Sequence, residues 1–449
     1  MVLSLLLLGA VLRGIVLAAY HPALIFPDSV RYLQYAHNFT AGHWRVDDQR
    51  QSGYSLLLTI FQNELWLVAL VQHLAGLATA AGVYAVLVRL NASRWLAALA
   101  TIPVLFDPLQ LVLEQYILAD IWTELLVLAA LVILVWQRSQ VGWRAAAACG
   151  LLLGLAVAFR DQDLIMIVPA AIYLVVATRS WRRLAALIAC FAIPVAGYLG
   201  WFDASHGQWN FTTFSGAFLY GRVADFADCT GLVLPSYEKP LCPTQPAAER
   251  VADFYTWNPA SPQWTFTVPP GKSRDAVVQD FSLRILRHQP LAYTEAAARD
   301  FFYGFSPVRG AGPEHYSPAY LKFQSHILPD PQAYTSISAL GDTPPTAQPG
   351  LAAFLHDYGR WFYIPGPLLA AGLIAGLAGA VFIRRRNGPP SLLFSLGAIA
   401  ILLPPALFAT FDWRYQLPQL TLIPIAAVLG STTIVNKLLL AVGGLVRLP

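Results

Sequence analysis

Ten apolar runs dominate the chain, each close to the roughly 20 residues an α-helix needs to cross the hydrocarbon core of a bilayer. They fall at 2–20, 64–88, 95–112, 117–137, 143–159, 163–178, 184–202, 361–383, 391–410 and 419–436. Backbone groups inside a bilayer must find their partners within the segment, so runs of this kind fold as helices. Composition agrees. Hydrophobic residues make up 57% of the chain and charged residues 12%, against about 25% charged in a soluble domain, and mean hydropathy is +0.53. The expected fold is an all-α polytopic membrane protein of about ten transmembrane helices with a large extracytoplasmic loop subdomain. The third and fifth runs are short or broken and read as half-spans or tilted hairpins. The first lacks a basic leader and a small-x-small cleavage site, so it reads as a retained span rather than a signal peptide.

Charge orients the spans. With the N-terminus in the cytoplasm, Arg89, Arg94, Arg138, Arg144, Arg179, Arg182, Arg183, Arg384, Arg385, Arg386, Lys437 and Arg447 all fall inside, and none of those inner segments holds an acidic residue. That segregation follows the positive-inside rule and puts both termini in the cytoplasm. Two large segments then face outward, 21–62 and 202–360. The chain divides into an N-terminal transmembrane catalytic core, 1–201, the outer subdomain, 202–360, and C-terminal transmembrane helices, 361–449. Cys229 and Cys242 close a short ring in the outer subdomain, where a disulfide is permitted, and are expected to pair. Cys149 and Cys190 lie in spans and read as small apolar residues. Repeats, a Gly-rich phosphate loop and closely spaced cysteine ligands are all missing from the sequence. Only Lys239, Lys272, Lys322 and Lys437 are lysines among 29 basic residues, a bias that suits a high-GC genome such as an actinobacterium's.

Ionisable residues gather at the outer ends of the spans. Asp28 follows the first, Glu114 and Asp120 stand at the entry to the fourth, with Glu124 one turn further in. Arg160, Asp161 and Asp163 sit between two apolar runs, and Asp412 and Arg414 lie between the last two. Charges at that depth are costly unless they pair or line a cavity. Each has a plain alternative. Asp28 after Pro27 can cap a helix, Arg160 and Asp161 can form an interfacial ion pair, and Arg414 can snorkel beside Trp413 and Tyr415. Glu114 and Asp120 can be solvated loop residues.

Taken together and in order, these stretches resemble the GT-C class of integral-membrane glycosyltransferases. The nearest branch is that of protein O-mannosyltransferases and aminoarabinose transferases. "PDSVRYLQYAHNFTAGHW" is similar to that family's first outer loop and "SGYSLLLTIF" to the stretch leading into its second span. "ILADIWTELLVLAALVIL" resembles its acidic fourth-span motif, "GLLLGLAVAFRDQDLIMIVPA" the segment after it, and "DWRYQLPQLTLIPIAA" its late arginine-tyrosine motif. The resemblance covers most of residues 1–200 and again 360–430. It departs where Ser29 stands in place of a second carboxylate after Asp28, where "RDQD" replaces a proline and glutamate, and over 202–360, which has no counterpart.

The resemblance implies a sugar moving from a polyprenyl-phosphate donor to an acceptor hydroxyl outside the membrane, with inversion. Asp28 would be the general base. Arg414, Arg160 and Arg360 would hold the donor phosphate, since arginine forks onto two oxygens. Glu114, Asp120, Asp161, Tyr32 and Tyr415 would bind substrate. The expected partners are the lipid-linked donor, a glycan, lipid or protein acceptor and the bilayer, not nucleic acid. The expected location is a bacterial plasma membrane. No cofactor is expected: outer carboxylates could attract a divalent metal, but a hard cation wants several oxygen ligands and no dense cluster is visible. A lipid-linked sugar transporter or flippase, or a non-enzymatic cell-envelope assembly protein, are the alternatives. A transporter should place polar residues at mid-membrane and on the inner face, and the inner segments here are only basic loops.

Overall fold

A computed structural model describes residues 1–62, 64–137, 141–310, 318–381 and 387–445. The first half is a succession of helices: α1 (Val2–Ala19), α2 (Pro27–Thr40), α3 (Leu65–Arg89), α4 (Pro108–Gln115), α5 (Asp120–Trp136), α6 (Trp143–Phe159), α7 (Ile167–Thr178) and α8 (Trp181–His206). A 3-10 turn, Asp161–Met166, joins α6 to α7. Then come α9 (Ser215–Ala224), α10 (Ala252–Trp257), α11 (Arg274–His288) and α12 (Pro290–Tyr303). Last are α13 (Pro349–Trp361), α14 (Gly366–Ala380), α15 (Gly388–Phe408) and α16 (Leu417–Leu445).

Among the described residues, five helices are long and apolar enough to cross a membrane, and seven if two bent pairs each count as one span. One bend, of 50°, lies at Asp107 between Arg94–Phe106 and α4, within the third run. Asp107 caps α4 by accepting a bond from Leu109 N, and Pro108 takes the first helical position, where its missing N–H costs nothing. The other bend, of 53°, separates α13 from α14. The fifth run is short rather than broken: α6 is one continuous helix of 17 residues, below the length of the spanning helices. The full count of ten is not reached by length and apolarity alone. Arg138, Arg384, Arg385, Arg386 and Arg447, part of the orientation argument, lie outside the described residues.

Close crossings of small residues bind the bundle. A side chain on Gly150 or Gly154 would strike the Leu187 or Phe191 carbonyl of α8 at 2.2 and 2.5 Å. Only glycine lets these backbones meet, the usual basis of helix pairing where apolar lipid gives no drive to associate. Trp95, Trp136, Trp143 and Trp181 are all exposed, each beside an arginine-bearing junction, as interfacial tryptophans are. Trp136 ends α5 and Asp120 begins it. That puts the aromatic–basic rim about 25 Å from Asp120 at 1.5 Å per residue, close to one hydrocarbon thickness.

Residues 202–360 do not share one core. Tyr220, Val223, Leu241, Tyr255, Val277, Phe281 and Ile285 of α9 to α11 and their connections form a separate cluster. The Cys229–Cys242 disulfide is formed and packs against it. By contrast Leu321, Phe323, Ile337, Ala352 and Leu355 join the main core of the helical bundle.

Candidate active site

Asp28 stands at the second position of α2. It does not cap that helix: Ser29 does, its Oγ accepting from Phe26 N at 2.9 Å and donating to the Ile117 carbonyl at 2.8 Å. The carboxylate is therefore free of local duty and is held by two distant cations. Arg50 Nη2 donates to Oδ1 at 2.7 Å and Arg414 Nη1 to Oδ2 at 2.8 Å. Burial alone pushes the Asp28 carboxyl up, but the two guanidiniums outweigh it and hold the group below the usual carboxylate range.

Arg414 also donates from Nε and Nη2 to Asp120 at 3.2 and 2.9 Å. Its backbone N–H donates to the Asp412 side chain at 3.2 Å, and its guanidinium lies 4.9 Å over the Phe26 ring. Asp120 takes a further bond from Arg160 Nη1. Arg160 ends α6 in extended backbone, so its side chain leaves the helix toward the bundle's end, 5.1 Å over the ring of Tyr415. Gly53 brings the Arg50 segment up to this point, since a side chain there would meet the Ala158 carbonyl at 2.4 Å. Three guanidiniums and two carboxylates from five separate segments thus form one cluster. Buried charges persist only in such mutual compensation.

The cluster opens on a cavity of about 1140 Å³. Asp28, Tyr32, Arg50, Arg160, Asp161, Asp412, Arg414 and Tyr415 line it, whereas Asp120 lies behind the arginines and is not on its wall. Burial pushes the Asp412 carboxyl up, only partly offset by Arg414. At one side the lining becomes apolar: Leu164, Ile165, Ile167 and Val168 face Pro404, Pro405 and Phe408 of α15. Leu164, Val168 and Phe408 are 40%, 45% and 59% exposed, so this groove is open laterally, toward the surface that lipid would cover. Pro404 and Pro405 sit inside α15, where proline removes backbone bonds and bends a helix.

Two expected site residues are not brought here. Glu114 turns into the bundle, accepting from Arg13 Nη2 and pairing with His73 Nδ1, both at 2.6 Å. Arg13, buried within the apolar first helix, has to be neutralised, and Glu114 does it. Arg360 is exposed in the last turn of α13 and is not on the cavity wall. Arg50, in contrast, carries little signal in the sequence beyond its position just before "SGYSLLLTIF". Among the described residues no three His, Cys, Asp or Glu side chains converge in a way that could hold a metal ion.

The fold and the site define a polytopic helical membrane protein with an arginine–aspartate cluster where a polar cavity meets an apolar groove. Residues 54–201 match the family model described as dolichyl-phosphate-mannose-protein mannosyltransferase. That match and the resemblance read from the sequence point to the same class of glycosyltransferase. A comparison with curated proteins finds no match.

Among solved structures, the Saccharomyces cerevisiae protein O-mannosyltransferase Pmt1–Pmt2 complex bound to the sugar donor aligns at 15% identity and TM-score 0.37, over 52% of this chain and 37% of that one. The Archaeoglobus fulgidus oligosaccharyltransferase AglB, in complex with an inhibitory peptide and a dolichol-phosphate, aligns at 13% and 0.44 over 98% and 51%. ArnT from Cupriavidus metallidurans bound to undecaprenyl phosphate aligns at 14% and 0.38 over 95% and 77%. The chain spans about half or less of the length of the first two.

Proposed function

We propose that the protein is a membrane glycosyltransferase that moves a sugar from a polyprenyl-phosphate donor to an acceptor hydroxyl on the extracytoplasmic face of a bacterial plasma membrane. One observation carries the reading: the arginine–aspartate cluster and the lateral apolar groove share a single cavity. A molecule with a phosphate head on a hydrocarbon tail would occupy both parts. Arg414, Arg50 and Arg160 would bind the phosphate oxygens, and the groove between the start of α7 and the end of α15 would take the first isoprene units.

In the reaction, an acceptor hydroxyl oxygen attacks the anomeric carbon as the bond from that carbon to the phosphate oxygen breaks. The bonding electrons leave on the phosphate, whose growing charge the arginines stabilise. The hydroxyl proton passes to the Asp28 carboxylate. One displacement on one face inverts the anomeric centre. Asp28 is preferred to Asp120 as base because it lines the cavity while Asp120 is screened by Arg160 and Arg414. In the resting cluster Asp28 is clasped by two cations and is a weak base. A donor phosphate that draws Arg50 and Arg414 toward itself would release the carboxylate and raise its basicity when the hydroxyl arrives.

The test is transfer of labelled sugar from a synthetic polyprenyl-phosphate sugar by purified protein in nanodiscs, with no nucleotide sugar present. Labelled product or donor cleavage is expected. Intact donor that is merely moved across proteoliposome membranes would establish a transporter instead.

A further inference from the structure

We propose that α9, α10 and α11 build the acceptor subsite of this cavity and that the acceptor they fit is a glycan. The inference rests on the transferase reading for its chemistry, but its geometry stands apart from the donor groove. One stretch of the cavity wall is supplied by this segment: Phe218 from α9, Asp253 and Trp257 from α10, and Gln279 from α11 all line the cavity. Trp257 is 38% exposed. Phe218 meets it edge-on at 5.5 Å between centroids and Phe214 lies roughly parallel at 6.4 Å. Two phenylalanine rings thus hold one indole at the cavity's edge.

That indole is one guanidinium away from the reacting carboxylate. Arg50 lies 5.0 Å over the Trp257 ring while donating to Asp28 at 2.7 Å. A sugar resting beside Arg50 on this platform would have its hydroxyls within reach of Asp28.

The chemistry of the wall selects the class of ligand. An aromatic face carries negative quadrupole density, which attracts the weakly positive C–H bonds on the flat side of a sugar ring. Amide and carboxylate side chains offer paired sites for neighbouring hydroxyls, and Gln279 and Asp253 are placed to do so on the same wall. Among the described residues this segment itself contributes no lysine or arginine to the lining, and Arg50, which lies over Trp257, is already bonded to Asp28. The wall therefore favours a neutral, hydroxyl-rich acceptor.

A peptide would be held differently, by its backbone along an exposed strand edge or as a helix in an apolar groove. Among the described residues the only ladder pairs Tyr20–His21 with Thr346–Ala347, and none of those four residues lines this cavity. Few well-placed polar groups around an apolar patch is the usual make-up of a small-molecule site.

The test uses the full chain in nanodiscs without donor. Saturation-transfer NMR measures binding of linear trisaccharides of mannose, glucose and arabinose, and of a serine-containing hexapeptide. At least one trisaccharide should bind, with affinity lowered tenfold or more by Gln279→Ala and by Trp257→Ala, and largely kept by Trp257→Phe. Because Trp257 also packs on Arg50, the exposed Gln279 provides the cleaner variant. The proposal is overturned if the hexapeptide binds and no trisaccharide does, if nothing binds, or if both alanine variants bind glycan as the parent does. Polyprenyl phosphate binding in the same samples gauges the donor reading separately. Glycan binding without it would sink the donor reading and leave this one, and the reverse result would do the opposite.

Discussion

Replacing Asp28 by asparagine should move two measurable quantities in opposite directions. The side chain keeps its size but loses its charge and its capacity to take a proton. Asp28 is not the N-cap of its helix, which Ser29 serves, so the helix should form as before. Asp120 still neutralises Arg414 through two bonds, so the cluster is not left with a bare cation at its centre. The rate should fall by about a hundredfold or more, the scale of general acid–base catalysis. Affinity for polyprenyl phosphate should rise. In the parent, the carboxylate occupies Nη atoms of Arg50 and Arg414 at 2.7 and 2.8 Å, and an incoming phosphate must compete for them. Loss of even one such charge-assisted bond is worth about 1.5–3 kcal/mol, or roughly tenfold to a hundredfold in affinity. Sugar transfer from a radiolabelled donor gives the rate, and calorimetry with polyprenyl phosphate in nanodiscs gives the affinity. A purely structural role for Asp28 would lower both. Turnover within a few-fold of the parent would refute the base assignment and direct attention to Asp412 or Asp161, the other carboxylates on the wall.

Arg414→Ala removes one bond to Asp28 and two to Asp120 and should raise the barrier by about 2–4 kcal/mol, the range for lost oxyanion donors. Arg160→Ala should cost less, and Arg360→Ala should leave transfer kinetics unchanged because Arg360 is off the cavity wall; single-turnover assays rank the three. Serine at both Cys229 and Cys242, which are 13 residues apart, should lower the stability of the α9–α11 cluster by roughly 3 kcal/mol by loop entropy, read by thermal unfolding with and without reductant. The Asp28 carboxyl is depressed in the resting cluster. Its stabilising contribution should therefore be complete above about pH 4, the ordinary aspartate value, and fade only as pH drops through the lower folded value. The acid limb of kcat/KM, which reports free enzyme, should accordingly lie below that of kcat, which reports the donor complex; coincident limbs would show that the donor does not release the carboxylate.

Much of the site is legible in the sequence because the membrane makes charge conspicuous. Asp28, Asp120, Arg160 and Arg414 each stand at the end of an apolar run, and partnership among them follows from the cost of leaving any one alone. Arg50 has no such contrast. It sits in the polar stretch "HWRVDDQRQ" among other charges, and only the folded chain reveals that Arg31 pairs with Asp47 and Asp48 while Arg50 crosses to Asp28. Glu114 fails for the complementary reason. Its partner Arg13 lies 101 positions away, inside a run whose apolarity hides it. The stretch 202–360 reads as one outer loop subdomain because composition reports that it is outside the bundle's apolar runs. It does not report that part of the stretch closes on its own core while the rest folds back onto the helices.

The two cations that clasp Asp28 are not equivalent, and the difference bears on how the proposed cycle would run. Arg414 is tied to Asp120 by two bonds and to Asp28 by one, with Phe26 beneath its guanidinium. It can turn a single Nη toward a ligand without leaving its place. Arg50 donates one bond to Asp28 and rests on Trp257 and Phe218, and its buried Nε has no protein partner. An unsatisfied donor of that kind costs free energy, and a phosphate oxygen would meet it. On the transferase reading, then, Arg414 supplies the fixed anchor and Arg50 the movable one. Since Arg50 also lies on the ring that would carry the acceptor, its shift toward the phosphate would uncover Trp257 and free Asp28 in the same movement. Donor arrival would thereby free the base and enlarge an acceptor platform that is already part-exposed, a coupling that kinetics can read as tighter acceptor binding in the presence of donor.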